Sequence, residues 1–115
     1  AMFAAHRKLD NLIAFTDCNR MQIDGTVDEV CSLGDLDAKW SAFGWFVQRI
    51  DGHNCDAIYD AVLKAKAQKG RPSMILLDTV KGKGVRFAIE AGVGCHSMNV
   101  SKEQYESAMR ELSEG

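Results

Sequence analysis

"NCDAIYDAVLKAKAQKGRPSMILL", residues 54–77, contains a change of period that decides the fold class. Ile58, Val62 and Ala65 recur along one face of a helix, and Asn54 stands where its side-chain oxygen can accept from the free N–H groups of the first turn. Gly70-Arg71-Pro72 ends that helix, and Met74-Ile75-Leu76-Leu77 follows as an unbroken apolar run of strand length. A strand that is apolar on both sides needs cover on both faces, which is the habit of parallel sheets.

The same helix-then-strand unit recurs upstream. Leu36, Trp40 and Phe43 share helical spacing over 35–43, Gly44 stops the helix, and Trp45 to Ile50 reads as a strand. Earlier still, residues 1–9 read as a helix and Leu12-Ile13-Ala14-Phe15-Thr16 as a strand buried on both faces, with Asp10-Asn11 turning between them. The repetition predicts an α/β fold: a three-layer α/β/α arrangement of about three parallel strands and four helices, joined by right-handed crossovers. The fourth helix is expected over 101–113, where Ser101 and Gln104 form a capping box and Tyr105, Ala108, Met109 and Leu112 make one apolar face. The glycine-rich stretch "KGKGVRFAIEAGVGCHSMNV", residues 81–100, is expected to be a long irregular segment, functional or mobile. Three parallel strands leave two open edges, so the sheet is expected to continue in a segment upstream or alongside.

Composition narrows the function classes. The 115 residues are 46% hydrophobic and 26% charged, with a formal net charge of −2, the balance of one globular domain. No basic stripe is present to attract phosphate backbones, so nucleic acid is not an expected partner. No apolar run reaches the roughly 20 residues that cross a bilayer, and the opening lacks the charge order of a signal peptide, so a cytoplasmic protein without a membrane partner is expected. Cys18, Cys31, Cys55 and Cys95 show no paired spacing and are expected to be reduced thiols.

Ligands of open α/β sheets sit beyond the carboxyl ends of the strands. Two stretches leave such ends: "FTDCNRMQIDG", residues 15–25, and the glycine-rich segment after Asp78-Thr79; both are expected to face one site. The Asn19 amide and the Met21 carbonyl can offer two neutral oxygens to a hard cation, or Asp17 and Asn19 can simply close Asx turns in their own loop. Lys81-Gly82-Lys83-Gly84 can present backbone N–H groups and an ammonium to an anion, although the motif is short and common. His96 suits an acid, a base or a phosphate donor, and equally an ordinary surface histidine. His53 belongs to a strand-to-helix turn, and His6 to a solvated helix face.

Taken in order, "AMFAAHRKLDNLIAFTDCNRMQIDG", "KWSAFGW", "IDGHNCDAI" and "TVKGKGV" resemble the thiamine-diphosphate-binding domain of transketolase, particularly the two-gene form whose N-terminal subunit carries that domain. The resemblance covers nearly the whole chain and implies that residues 1–115 are the downstream part of that domain. It implies Asn19 and the Met21 carbonyl as ligands of Mg²⁺ (or Ca²⁺), and Asn19 and His96 as contacts of the cofactor diphosphate, with Lys81 of the glycine-rich motif expected as a further cofactor contact. His96 aligns with a family histidine that also reaches substrate, which gives it a catalytic role. The family's Gly-Asp-Gly, source of the metal-binding aspartate, is absent from these residues and is expected upstream. Cys95-His96-Ser97 stands where the family has Trp-His-Gly, and the proline that usually follows is missing, Pro72 being the only one.

The implied reaction moves a two-carbon ketol unit from a ketose phosphate to an aldose, with the cofactor as electron sink. The glutamate that activates the cofactor's aminopyrimidine ring belongs to a pyrimidine-binding C-terminal subunit or domain. The chain is therefore expected to be part of a homo- or hetero-oligomer acting on sugar phosphates, and inactive alone. Two other functions fit the same residues: a non-catalytic interaction module that keeps the fold, and another thiamine-diphosphate enzyme. A deoxyxylulose-phosphate synthase or a dehydrogenase E1 component would be such an enzyme, but each matches Asp51-Gly52-His53 and Thr79-Val80-Lys81-Gly82 less well.

Overall fold

A computed structural model describes residues 1–114, which divide into two compact units. The first, residues 1–18 and 33–79, holds α1 (Met2–His6), β1 (Ile13–Cys18), α3 (Leu36–Ala42), β4 (Phe46–Asp51), α4 (Cys55–Ala67) and β5 (Ser73–Asp78). The second, residues 19–32 and from Val80 onward, holds β2 (Met21–Gln22), β3 (Gly25–Thr26), α2 (Val27–Val30), α5 (Arg86–Ala91), a 3₁₀ segment (Gly92–Ser97) and α6 (Lys102–Glu114).

In the first unit, β5 lies between β1 and β4, and both pairings are parallel. The chain passes from β1 over the place of β5 to β4 and then steps back, so the strand order reverses direction. Right-handed crossovers with such a reversal put successive helices on opposite faces. The packing agrees: Met74 and Leu76 of β5 face a cluster with Ala4, Trp45, Leu36 and Trp40, whereas Ile75 faces Ala61 and Ala65 of α4. Helices α1 and α3 thus cover one side of the sheet and α4 the other, giving the expected three layers.

Local chemistry sets the element ends. The Asn54 side chain accepts from the Ala57 N–H at 3.0 Å and Asp35 from the Ala38 N–H at 2.9 Å, each capping a helix N-terminus. Helix α1 stops earlier than the apolar pattern suggested, because Leu9 N–H bonds Ala4 O at 3.1 Å and Lys8 N–H bonds Ala5 O at 3.0 Å. That pair of bonds is a Schellman ending, and it forces Lys8 into the left-handed region at φ +52°.

Three expectations are corrected. The strand over 12–16 is not buried on both faces among the described residues: β1 pairs there with β5 alone, and Phe15 on it is 48% exposed. Only β5, flanked on both sides, has the continuous burial that the apolar runs implied, from Ser73 through Leu76. The segment 81–100 is not irregular, since α5 and the 3₁₀ segment occupy residues 86–97; the glycines punctuate the helices rather than dissolve them. Residues 21–30, where no element was expected beyond a turn, form a tight hairpin followed by one helical turn. A capping box builds that turn: Glu29 N–H donates to Thr26 Oγ1 at 3.3 Å and Thr26 N–H to Glu29 Oε2 at 3.1 Å. Hydrogen bonds from the Thr26 hydroxyl and backbone hold the Glu29 carboxyl below the usual carboxylate range. At α6 the Ser101–Gln104 box is present as expected, with bonds of 2.9 and 3.2 Å.

Leu76→Ala should lower stability by about 3 kcal/mol, since a fully buried side chain of the central strand is removed and its cavity remains. A lower urea midpoint with an unchanged slope is the expected result. Lys8→Gly should raise stability by about 0.5–1 kcal/mol, because glycine relieves the left-handed Cβ clash by more than the entropy it adds to the unfolded chain; a higher thermal midpoint is the check.

Candidate functional site

The carboxyl ends of the first unit's strands form a braced rim. Cys18, Asp78 and Asp51 stand side by side in the sheet register, one at the end of each strand. The Thr79 hydroxyl donates to the Asp17 carboxylate, tying the exit of β5 to that of β1. On the other side, Gly52 N–H donates to Asp78 O at 2.8 Å. An ideal Cβ on Gly52 would fall 2.5 Å from Thr79 Cγ2 and 2.9 Å from Leu77 Cβ, so only glycine lets the β4 exit lie this close.

Arg49 of β4 reaches along the same rim. Its Nη1 lies 2.6 Å from Asp78 Oδ1 and its Nη2 2.7 Å from Asp37 Oδ2, Asp37 being in the first turn of α3. The Asp37 and Asp78 carboxylates raise the guanidinium's pKa further, so it is charged at any working pH. The Cys18 thiol lies beside it; partial burial pushes that thiol's pKa up, with the Arg49 charge opposing. Cys18 is therefore not an activated thiolate.

In the second unit Asn19, the residue directly after β1, makes the Asx turn: Met21 N–H donates to Asn19 Oδ1 at 2.9 Å. Arg20 between them adopts φ +60°, a left-handed conformation that costs a non-glycine residue about 1–2 kcal/mol. Val27 N–H holds the turn by bonding Arg20 O at 2.9 Å. Asp17, the other expected Asx residue, accepts from Thr79, 62 positions away.

Met21 opens β2, which packs against the 3₁₀ segment that carries His96; an ideal Cβ on Gly92 would meet the Met21 methyl at 3.8 Å. Asn19, Met21 and the His96 segment thus share one unit. His96 itself is exposed in the last turn of that segment. Lys81 is half-buried on a double turn, closed by Lys83 N–H to Val80 O at 3.1 Å and Val85 N–H to Gly82 O at 3.0 Å. Gly82 takes φ +80° there and sits against the α5 backbone, where a Cβ would lie 2.9 Å from Ala88 C. His53 lies just before α4 as expected, its N–H donating to Asp51 Oδ1 at 2.9 Å, and His6 is exposed.

Sequence reasoning passed over Gln22, whose Nε2 is buried without a hydrogen-bond acceptor. It also passed over Arg49, whose partners are 12 and 29 positions away and leave no periodic signal.

Among the described residues no group of three or more His, Cys, Asp or Glu is placed to hold a metal ion. The Asn19 turn presents a neutral amide oxygen together with neutral carbonyls. That donor set suits a hard cation such as Mg²⁺ only when a carboxylate or phosphate completes it. The residues present therefore fit part of a cation–diphosphate site. No helix is long and apolar enough to cross a membrane among the described residues.

The family model described as transketolase, thiamine diphosphate binding domain, matches residues 1–112. The chain is 54% identical over 112 residues to the 6-deoxy-6-sulfo-D-fructose transketolase subunit SqwG of Clostridium sp. (strain MSTE9), covering 97% of this chain and 40% of that protein. It is 40% identical over 114 residues to a subunit of the apulose-4-phosphate transketolase of Phocaeicola vulgatus, covering 99% of this chain and again 40% of the relative. Transketolase from Campylobacter jejuni superimposes with a TM-score of 0.82 at 26% identity, over 97% of this chain and 17% of that one. From the braced parallel strands to the Asn19 turn, this chain belongs to the transketolase family and carries its thiamine-diphosphate-binding domain type.

Proposed function

We propose that residues 1–115 form part of the diphosphate-binding domain of a split transketolase, which transfers a two-carbon ketol unit from a ketose phosphate to an aldose. The single observation that carries this is the Asn19–Met21 turn, at the carboxyl end of β1 and with a left-handed Arg20 at its centre. Strained backbone of this kind clusters at ligand clamps, and a bound cation would account for the cost. In this proposal Asn19 Oδ1 and the Met21 carbonyl are two ligands of Mg²⁺ (or Ca²⁺), and Lys81 places its ammonium toward the diphosphate. His96 donates to phosphate and, with substrate bound, moves a proton.

Thiamine diphosphate supplies the electron sink for breaking the ketose carbon–carbon bond. This chain's residues bind and orient its charged end. The metal-binding aspartate and the glutamate at the aminopyrimidine would come from chain outside these residues and from a pyrimidine-binding partner in a homo- or hetero-oligomer, so the piece alone would be inactive. The whole enzyme would work in the cytoplasm. The 54% identity to a 6-deoxy-6-sulfo-D-fructose transketolase subunit supports a sulfonated ketose as the alternative donor.

The first test is calorimetry of residues 1–115 with Mg²⁺ and thiamine diphosphate. Weak binding is expected, and tight stoichiometric binding would overturn the division of the site. In the assembled enzyme, Asn19→Ala should weaken Mg²⁺-dependent cofactor binding by about 100-fold, the upper end of what disturbing the hydrogen bonds around a metal site costs. Asn19→Asp, which keeps an oxygen acceptor, should retain more of it. Unchanged binding in Asn19→Ala would remove Asn19 from the site.

A further inference from the structure

The C-terminal rim holds a set of ion pairs that the proposed chemistry does not use. Arg49 bridges two carboxylates from different elements, Asp78 at the end of β5 and Asp37 on α3, with nitrogen–oxygen distances of 2.6 and 2.7 Å. Its Nε donates a further bond to Asp37 Oδ2 at 2.8 Å. Asp78 precedes Thr79, whose hydroxyl closes the rim onto Asp17. One planar cation therefore ties the last residue of β5 to α3, and its fork geometry suits two carboxylates at once.

Position gives this brace its consequence. Asn19 is the next residue after Cys18, and Lys81 is three residues after Asp78. We infer that Arg49 is a positioning residue for the cofactor site, acting through Asp78, whose neighbour Thr79 is bonded to Asp17, to hold the two strand exits from which the Asn19 turn and the Lys81 turn depart. Stability is not an adequate account of it. The Arg49 side chain is 37% exposed and its partners 44% and 54%, and ion pairs at that exposure contribute little to global folding. Their effect is local, on the order of the chain ends they join.

The inference rests on the proposed cofactor site, and two readouts separate the two. In the apo protein, Arg49→Met should speed amide hydrogen exchange several-fold at Asn19, Met21 and Lys81, with the thermal midpoint moved by no more than a few degrees. In the full-length protein assembled with its partner, the same variant should weaken Mg²⁺-dependent thiamine diphosphate binding by about tenfold. Arg49→Lys, which keeps the charge but loses the fork, should recover part of both effects. Asp78→Asn, nearly isosteric, repeats the measurement if Arg49→Met folds poorly. Wild-type cofactor affinity in Arg49→Met and Asp78→Asn, with Asn19→Ala still defective, overturns the positioning role alone. Absence of cofactor binding by the wild-type assembly, or wild-type binding by Asn19→Ala, overturns the site and this inference with it.

Discussion

The first unit depends on one constraint: β5 has to be covered on both faces. Met74, Ile75 and Leu76 are almost wholly withdrawn from water and point alternately to the two sides of the sheet. At about 25 cal/mol per Å² of apolar surface, leaving either face open would forfeit several kcal/mol. That demand recruits α1 and α3 to one side and α4 to the other, and parallel pairing on both edges of β5 follows from the crossovers that bring those helices into place.

Parallel strands all end on the same side, so their exits collect there. Those exits are polar and closely spaced: Asp17, Cys18, Asp51, Asp78 and Thr79 are brought to one rim by a register that is itself fixed by the core. Gly52 allows the close approach, Thr79 joins two exits, and Arg49 offsets the negative charge that three neighbouring aspartates would otherwise concentrate.

Much of this was legible along the chain. The helix caps Asn54 and Ser101, the stops Gly44 and Gly70, and the apolar run 74–77 each act over a few residues, so each leaves a local pattern. The Asn19 turn was legible for the same reason, since its bond spans two positions. Phe15 was misjudged because an apolar run cannot say which of its strand's faces these residues will cover. Residues 86–97 were misjudged because glycines that cap or space short helices look, in sequence, like glycines that loosen a loop.

Periodicity, caps and turn residues by themselves determined the class of fold, the parallel character of the sheet and the turn at Asn19, because these follow from interactions between near neighbours. Only the tertiary structure decided that β5 lies between β1 and β4 and that Arg49 meets Asp37 and Asp78 on the rim. Those facts depend on strand order and register, which are set by how whole helix faces fit against a sheet and are written at no single position in the sequence.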